Sequence, residues 1–90
     1  YSITPFVLYR PYEFIRNYIN HEKIPVKLMG GGRDKDYGYL GFSHWAEDDK
    51  KTMANFSNIA SYWPIDEAEL EKVVDTFLFD GKPSYLNLKR

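Results

Sequence analysis

The chain contains no cysteine, only two histidines and no long apolar run. The missing cysteines exclude a disulfide framework and a zinc–cysteinate site. No stretch approaches the roughly 18 consecutive apolar residues that a bilayer-crossing helix needs, and Tyr1-Ser2-Ile3 does not begin a signal peptide. An excess of charge of either sign is missing too. Twelve Lys and Arg stand against 13 Asp and Glu, for a net charge of -1, and without a basic face there is little to neutralise phosphates. These absences make a soluble, cytoplasmic protein with no nucleic-acid partner and no membrane partner the expectation. Aromatic residues are plentiful, at 18%, so either the core is rich in rings or an aromatic surface is covered by something else.

Periodicity divides the chain of 90 residues into alternating elements. Val7, Phe14, Ile15, Tyr18 and Ile19 lie on one helical stripe, and Pro11, lacking an N–H, fits a first helical position. A helix is predicted from Pro11 to Asn20, with Pro5 to Arg10 as a tighter lead-in. Ile24 to Met29 is a short apolar run bounded by Pro and Gly and reads as a buried strand. Gly30 to Gly38 reads as a flexible loop, because adjacent glycines lose the most conformational entropy on ordering. Ser43 is a suitable N-cap for a helix running to Asn55, with Asp48 and Asp49 favourably placed in the dipole near its start. Asp48, Asp49, Lys50 and Lys51 otherwise read as a solvated helix face.

Ile59 to Trp63 reads as a second strand, ended by Pro64. Asp66 and Glu69 form a capping-box-like start to a helix whose apolar face is Leu70, Val73, Val74, Phe77 and Leu78, and Gly81 sits where that helix stops. Ser84 to Leu88 is a third strand. Helix and strand alternating three times with short connections predicts an α/β fold, a parallel sheet with helices on both faces. Three strands are few for such a sheet. A chain that opens on a helix is expected to lack a preceding strand, as an incomplete piece of a domain would.

Chemistry concentrates between Gly38 and Asp49. His44, at an expected helix start, can relay protons or bond a substrate oxygen; a solvated or structural histidine is the alternative. Phe6, Tyr9, Arg10 and Tyr12 bring rings and a cation together near the first helix, suited to stacking on a flat heteroaromatic ligand or to core packing. Arg90 follows the last strand, where it can hold an anion or belong to a free end. Gly30 to Gly32 matches no phosphate-loop pattern. Asp34 and Asp36 lack the further ligands of a calcium loop, so no metal ligand is expected in this chain.

Taken together, Tyr37-Gly38-Tyr39-Leu40-Gly41-Phe42-Ser43-His44-Trp45-Ala46-Glu47-Asp48-Asp49 with Met53 and Ser57-Asn58-Ile59 resembles the transketolase signature G-x-[ST]-H-x-x-x-[ED]-D followed by M-R-x-x-P-N. Pro64-Ile65-Asp66 with Glu69 is similar to that family's P-x-D-x-x-E. Phe6, Arg10 and the run to Arg16 are similar to F-L-x-x-R-A-x-[DE]-Q-I-R, and Pro83 to Arg90 to the closing P-x-Y-[IL]-R-L-x-R. The resemblance covers nearly the whole chain in order.

It implies the C-terminal part of the pyrimidine-binding domain of a thiamine-diphosphate enzyme of carbohydrate metabolism, a transferase moving a two-carbon ketol unit between sugars or sugar phosphates. It further implies that Phe6 stacks on the cofactor aminopyrimidine with Tyr9 and Arg10 beside it, that His44 faces the reacting carbon, and that Ser43 and Arg90 contact substrate. Thiamine diphosphate and Mg2+ would be completed by a diphosphate-binding domain or subunit, in a homo-oligomer such as a dimer or in a split-subunit assembly. The family's catalytic glutamate would lie before Tyr1, so the segment alone is expected to be inactive. Departures from the family pattern are Gly32 and Leu40 where a sugar-binding histidine and aspartate are expected, and Ser57 and Asn87 where Pro and Arg are usual. With these departures a different ketose or an activated sugar fits at least as well as the ordinary pentose phosphates. A 2-oxoacid dehydrogenase E1 beta-type subunit and a non-catalytic assembly module are the alternatives.

Overall fold

A computed structural model describes all 90 residues, from Tyr1 to Arg90. The chain opens on a two-residue strand, β1 (Ser2–Ile3), which turns directly into α1 (Thr4–Leu8), with Pro5 in its first turn, where a missing N–H costs nothing. The expected absence of a strand before the first helix is therefore corrected. A second helix follows as α2 (Tyr12–Phe14), with Pro11 at its N-cap, and widens into a π-helical segment over Ile15–Asn20. The remaining elements are β2 (Lys27–Gly31), two single 3-10 turns (Gly38–Leu40 and Phe42–His44), α3 (Asp49–Met53), β3 (Ala60–Tyr62), α4 (Glu67–Phe79) and β4 (Ser84–Leu88).

The four strands form one all-parallel sheet in the order β1-β2-β4-β3. The connections β1 to β2 and β2 to β3 advance in one direction across it, and β3 to β4 returns. Right-handed crossovers then place α1, α2 and α3 on one face and α4 on the other. Side chains agree with that placement. Tyr85 packs with Leu8, Ile15, Ile19 and Met53 from the first three helices. On the opposite face Lys27, paired in register with Ser84, lies against Phe77 of α4. Four consecutive β4 residues, Ser84 to Asn87, are buried, as a central parallel strand covered on both sides requires.

Three sequence expectations shift. β2 begins at Lys27 rather than Ile24, leaving Ile24, Pro25 and Val26 exposed. Gly30 and Gly31 belong to the strand and are not a flexible loop: a Cβ on Gly30 would stand 2.6 Å from Thr4 Oγ1 and 3.0 Å from the Tyr85 hydroxyl. Close approach of backbone and side chains, not mobility, is what glycine provides there. The helix expected from Ser43 to Asn55 shrinks to Asp49–Met53. Upstream of it, Ala46 N–H is captured by Asp34 O at 2.7 Å in an isolated antiparallel bridge, and Trp45 is extended. By contrast, α4 starts as expected, with Asp66 accepting Glu69 N–H at 2.9 Å and Glu69 accepting Ile65 N–H at 2.9 Å. Of its expected apolar face, Phe77 is fully buried and Leu78 is exposed.

Candidate functional site at the carboxyl edge of the sheet

Parallel strands deliver the residues that follow them to one edge, and in open α/β sheets that edge is where ligands bind. Three segments meet there. α1, leaving β1, carries Phe6. The segment after β2 carries Arg33 to His44, and the chain after β4 carries Arg90. Gly32 N–H donates to Leu88 O at 2.8 Å. The Arg33 guanidinium donates to Asn87 Oδ1 at 2.7 Å and to Asn87 O at 2.9 Å. Asp36 accepts the backbone N–H groups of Arg33 and Arg90, each at 2.9 Å. Burial works to raise the Asp36 pKa, but those two N–H groups and the charges of Lys89 and Arg33 outweigh it and hold the carboxyl below its usual range. The loop is thus tied to the end of β4 by charge-assisted bonds.

On this frame His44 sits half-buried in the 3-10 turn Phe42–His44. Its ring meets Phe6 edge-on, with centroids 5.1 Å apart, and Tyr37 at 6.1 Å. Arg10 lies over Phe6, its guanidinium 4.0 Å from the ring centroid, and Arg90 lies over Tyr37 at 4.8 Å. The result is a row, Arg10, Phe6, His44, Tyr37, Arg90, with a cation at each end and the imidazole in the middle. Ser43 Oγ is 2.9 Å from His44 Nδ1, which leaves Nε2 as the nitrogen without a protein partner. The turn is steadied by Trp45, whose indole N–H donates to Gly38 O at 2.9 Å and whose ring carries Lys35 at 4.6 Å.

Five of the six expected site residues therefore converge: His44, Phe6, Arg10, Ser43 and Arg90. Ser43 does so in a different role, since its hydroxyl meets the imidazole and caps no helix. Tyr9 is the exception. Its hydroxyl donates to Asp48, away from the His44 row, and burial with the Asp48 carboxylate raises the phenol pKa well above its ordinary value.

Sequence reasoning missed two features. Tyr37, which joins His44 to Arg90, carried no spacing signal. Asp49 is not on a solvated face: it is 3% exposed and accepts Trp63 Nε1–H at 2.8 Å and the Tyr85 hydroxyl at 3.0 Å, both on Oδ2. Burial pushes its carboxyl pKa up against the bonds from Trp63 and Tyr85 that lower it. From Tyr85 the network continues to Asn87 (3.3 Å), whose amide donates to Thr4 Oγ1 at 3.0 Å and Gly32 O at 2.9 Å. This buried chain connects α3, β4 and α1. Its only sequence trace is a polar residue, Asn87, between Leu86 and Leu88.

Chemically the row offers an aromatic face, one imidazole nitrogen for proton transfer or hydrogen bonding, and two guanidinium groups for anions. No carboxylate completes the row, because Asp36 and Asp48 are engaged elsewhere, and no group of three or more His, Cys, Asp or Glu side chains is placed to hold a metal ion. No helix is long and apolar enough to cross a membrane. No protein-family model, curated protein or solved structure matches the chain.

Proposed function

We propose that this chain is the aminopyrimidine-binding part of a thiamine-diphosphate-dependent, transketolase-like transferase that moves a two-carbon ketol unit between sugars. The observation that carries the reading is the His44 row itself: a histidine wedged between two rings and flanked by two arginines, at the carboxyl edge of a parallel sheet. Thiamine diphosphate, when bound, supplies a nucleophilic carbon that adds to a ketose carbonyl. Phe6 offers the ring against which the aminopyrimidine stacks, with Arg10 on the ring to strengthen it by charge. His44, held at Nδ1 by Ser43, has Nε2 available to donate to the oxygen that gains negative charge, or to pass its proton. Arg90 is positioned by the Asp36 bond to its backbone and by Tyr37, and its guanidinium suits a bidentate grip on a carboxylate or phosphate of the substrate. The diphosphate and Mg2+ fall to another domain or subunit, and the whole acts as a homo-oligomer or a split-subunit pair.

Calorimetric titration of thiamine diphosphate with Mg2+ into the intact protein tests the reading, alongside ketol transfer from a panel of ketoses. Phe6→Ala is expected to weaken cofactor binding at least tenfold. His44→Ala should leave binding within a few-fold and lower transfer by roughly 10²–10⁴-fold, the usual contribution of one acid–base group. An intact wild-type protein that binds no thiamine diphosphate would sink the proposal. The second reading, a non-catalytic assembly module, draws on Tyr39 and Phe42, which are 97% and 76% exposed beside the row. Self-association abolished by Tyr39→Ser with Phe42→Ser, in a protein that binds no cofactor, would establish it instead.

A further inference from the structure

The π-helical segment Ile15–Asn20 is unexplained by the His44 row. Such segments are rare and recur at functional sites, because the widened turn changes which side chains share a face. In an α-helix, residues five apart are about 140° apart around the axis. Here His21 N–H donates to Arg16 O at 3.2 Å and Ile24 N–H to Ile19 O at 3.1 Å, both five residues back. His21 is thereby set one turn above Arg16, next to Asn17, and these three residues line a cleft of about 400 Å³ with no apolar wall.

The geometry is braced on both sides. Asn58 N–H donates to Asn20 Oδ1 at 2.9 Å, and the Asn58 amide donates to Asn20 O at 2.9 Å, pinning the last turn of the segment. Ile15 and Ile19 anchor the other side in the core, at 1% and 3% exposure. Arg16 Nη1–H donates to Asn17 Oδ1 at 2.7 Å, which orients the guanidinium and leaves its Nε–H and Nη2–H groups without a protein acceptor. The Asn17 amide reaches Glu13 Oε1 only at 3.5 Å.

We propose that Arg16, Asn17 and His21 form a binding site for a phosphate group, free or as a monoester. The guanidinium fork matches two oxygens of a tetrahedral oxyanion, and the amide and the imidazole each add an N–H. Glu13 opposes an anion there, and its long bond to Asn17 is the contact a phosphate displaces. Asn20 belongs to the turn that packs beside Asn58, just before β3, so the site lies at the amino edge of the sheet, opposite the His44 row. It stands or falls independently of the thiamine-diphosphate reading.

The experiment follows the His21 ring and Arg16 side-chain NMR resonances of the full chain. Inorganic phosphate, phenyl phosphate and, at matched ionic strength, sodium chloride are titrated separately. Saturable shifts with both phosphates are expected, with a dissociation constant on the order of 1 mM. A response to inorganic phosphate alone would assign the site to the free ion, and a tighter response to phenyl phosphate to a monoester. Arg16→Gln should weaken binding tenfold or more, Glu13→Gln should tighten it about threefold, and Lys72→Gln, on the opposite face of the sheet, should change nothing. Because Glu13→Gln moves affinity upward, misfolding cannot mimic the pattern. Shifts that follow chloride equally, or that survive Arg16→Gln within twofold, overturn the site.

Discussion

Replacing Asp49 separates two roles that its carboxylate could play, as a charge and as an acceptor. Both donors, Trp63 Nε1–H at 2.8 Å and the Tyr85 hydroxyl at 3.0 Å, end on the same oxygen, Oδ2. Asp49→Ala leaves both without this acceptor, the Tyr85 hydroxyl in a fully buried position and the Trp63 N–H in a half-buried one. Each unsatisfied buried donor costs about 1–3 kcal/mol, and removing a desolvated charge returns part of that, so the expected loss is about 2–4 kcal/mol. For a domain of this size, that corresponds to a fall in Tm of roughly 10–25 °C. Asp49→Asn keeps one oxygen where both donors converge, so its expected cost at neutral pH is under about 1 kcal/mol.

The pH dependence adds a second axis to the same comparison. Burial raises the folded-state pKa of Asp49 above the ordinary 3.8. The folded state therefore holds its proton to higher pH than the unfolded state, and stability falls as pH rises from about 3.8 through the folded value. Asp49→Asn removes that contribution, so the difference between wild type and variant should shift in favour of wild type on acidification within this window. Urea titrations of the three proteins between pH 4 and pH 8 measure both quantities. Equal losses for Asn and Ala would refute the acceptor argument, and a loss below about 0.5 kcal/mol for Ala would show that the buried network contributes nothing.

Two further outcomes follow from packing. Gly30→Ala places a methyl 2.6 Å from Thr4 Oγ1 and 3.0 Å from the Tyr85 hydroxyl, so a loss of about 1–3 kcal/mol by chemical denaturation is expected, and Thr4→Ser should not relieve it because the hydroxyl remains. Phe77→Ala, at a fully buried position, should cost about 3–5 kcal/mol, whereas Phe79→Ala, 79% exposed, should stay within about 0.5 kcal/mol; thermal melts of the pair test which face of α4 holds the sheet.

The elements that could be read from sequence are those whose signals are local. The start of α4 depends on Asp66 and Glu69 three residues apart, and β4 on a run of five residues between Pro83 and Lys89; both stand where expected. The segment from Ser43 to Asn55 was read from equally local signals and came out differently. Asp34, twelve residues upstream of Ala46, captures its N–H and holds Trp45 extended, so the N-cap position moves five residues on, from Ser43 to Asp48. The expected site residues were chosen by type and by resemblance, and five of the six meet, because a parallel sheet carries everything that follows its strands to one edge. Tyr9 left the group when Asp48, 39 residues away, took its hydroxyl.

Sequence alone determined the α/β alternation, the capped start of α4 and the residue types available for chemistry, since capping, periodicity and charge act within a turn or two of the chain. Tertiary structure decided the rest. It turned Gly30 and Gly31 from a loop into the close-packed end of a strand, and added β1, whose two residues have strand character only through pairing with those glycines. It also drew Asp49 out of an acidic surface run into the core. Each of these is set by contacts between residues distant in sequence, whose free energy no local pattern records.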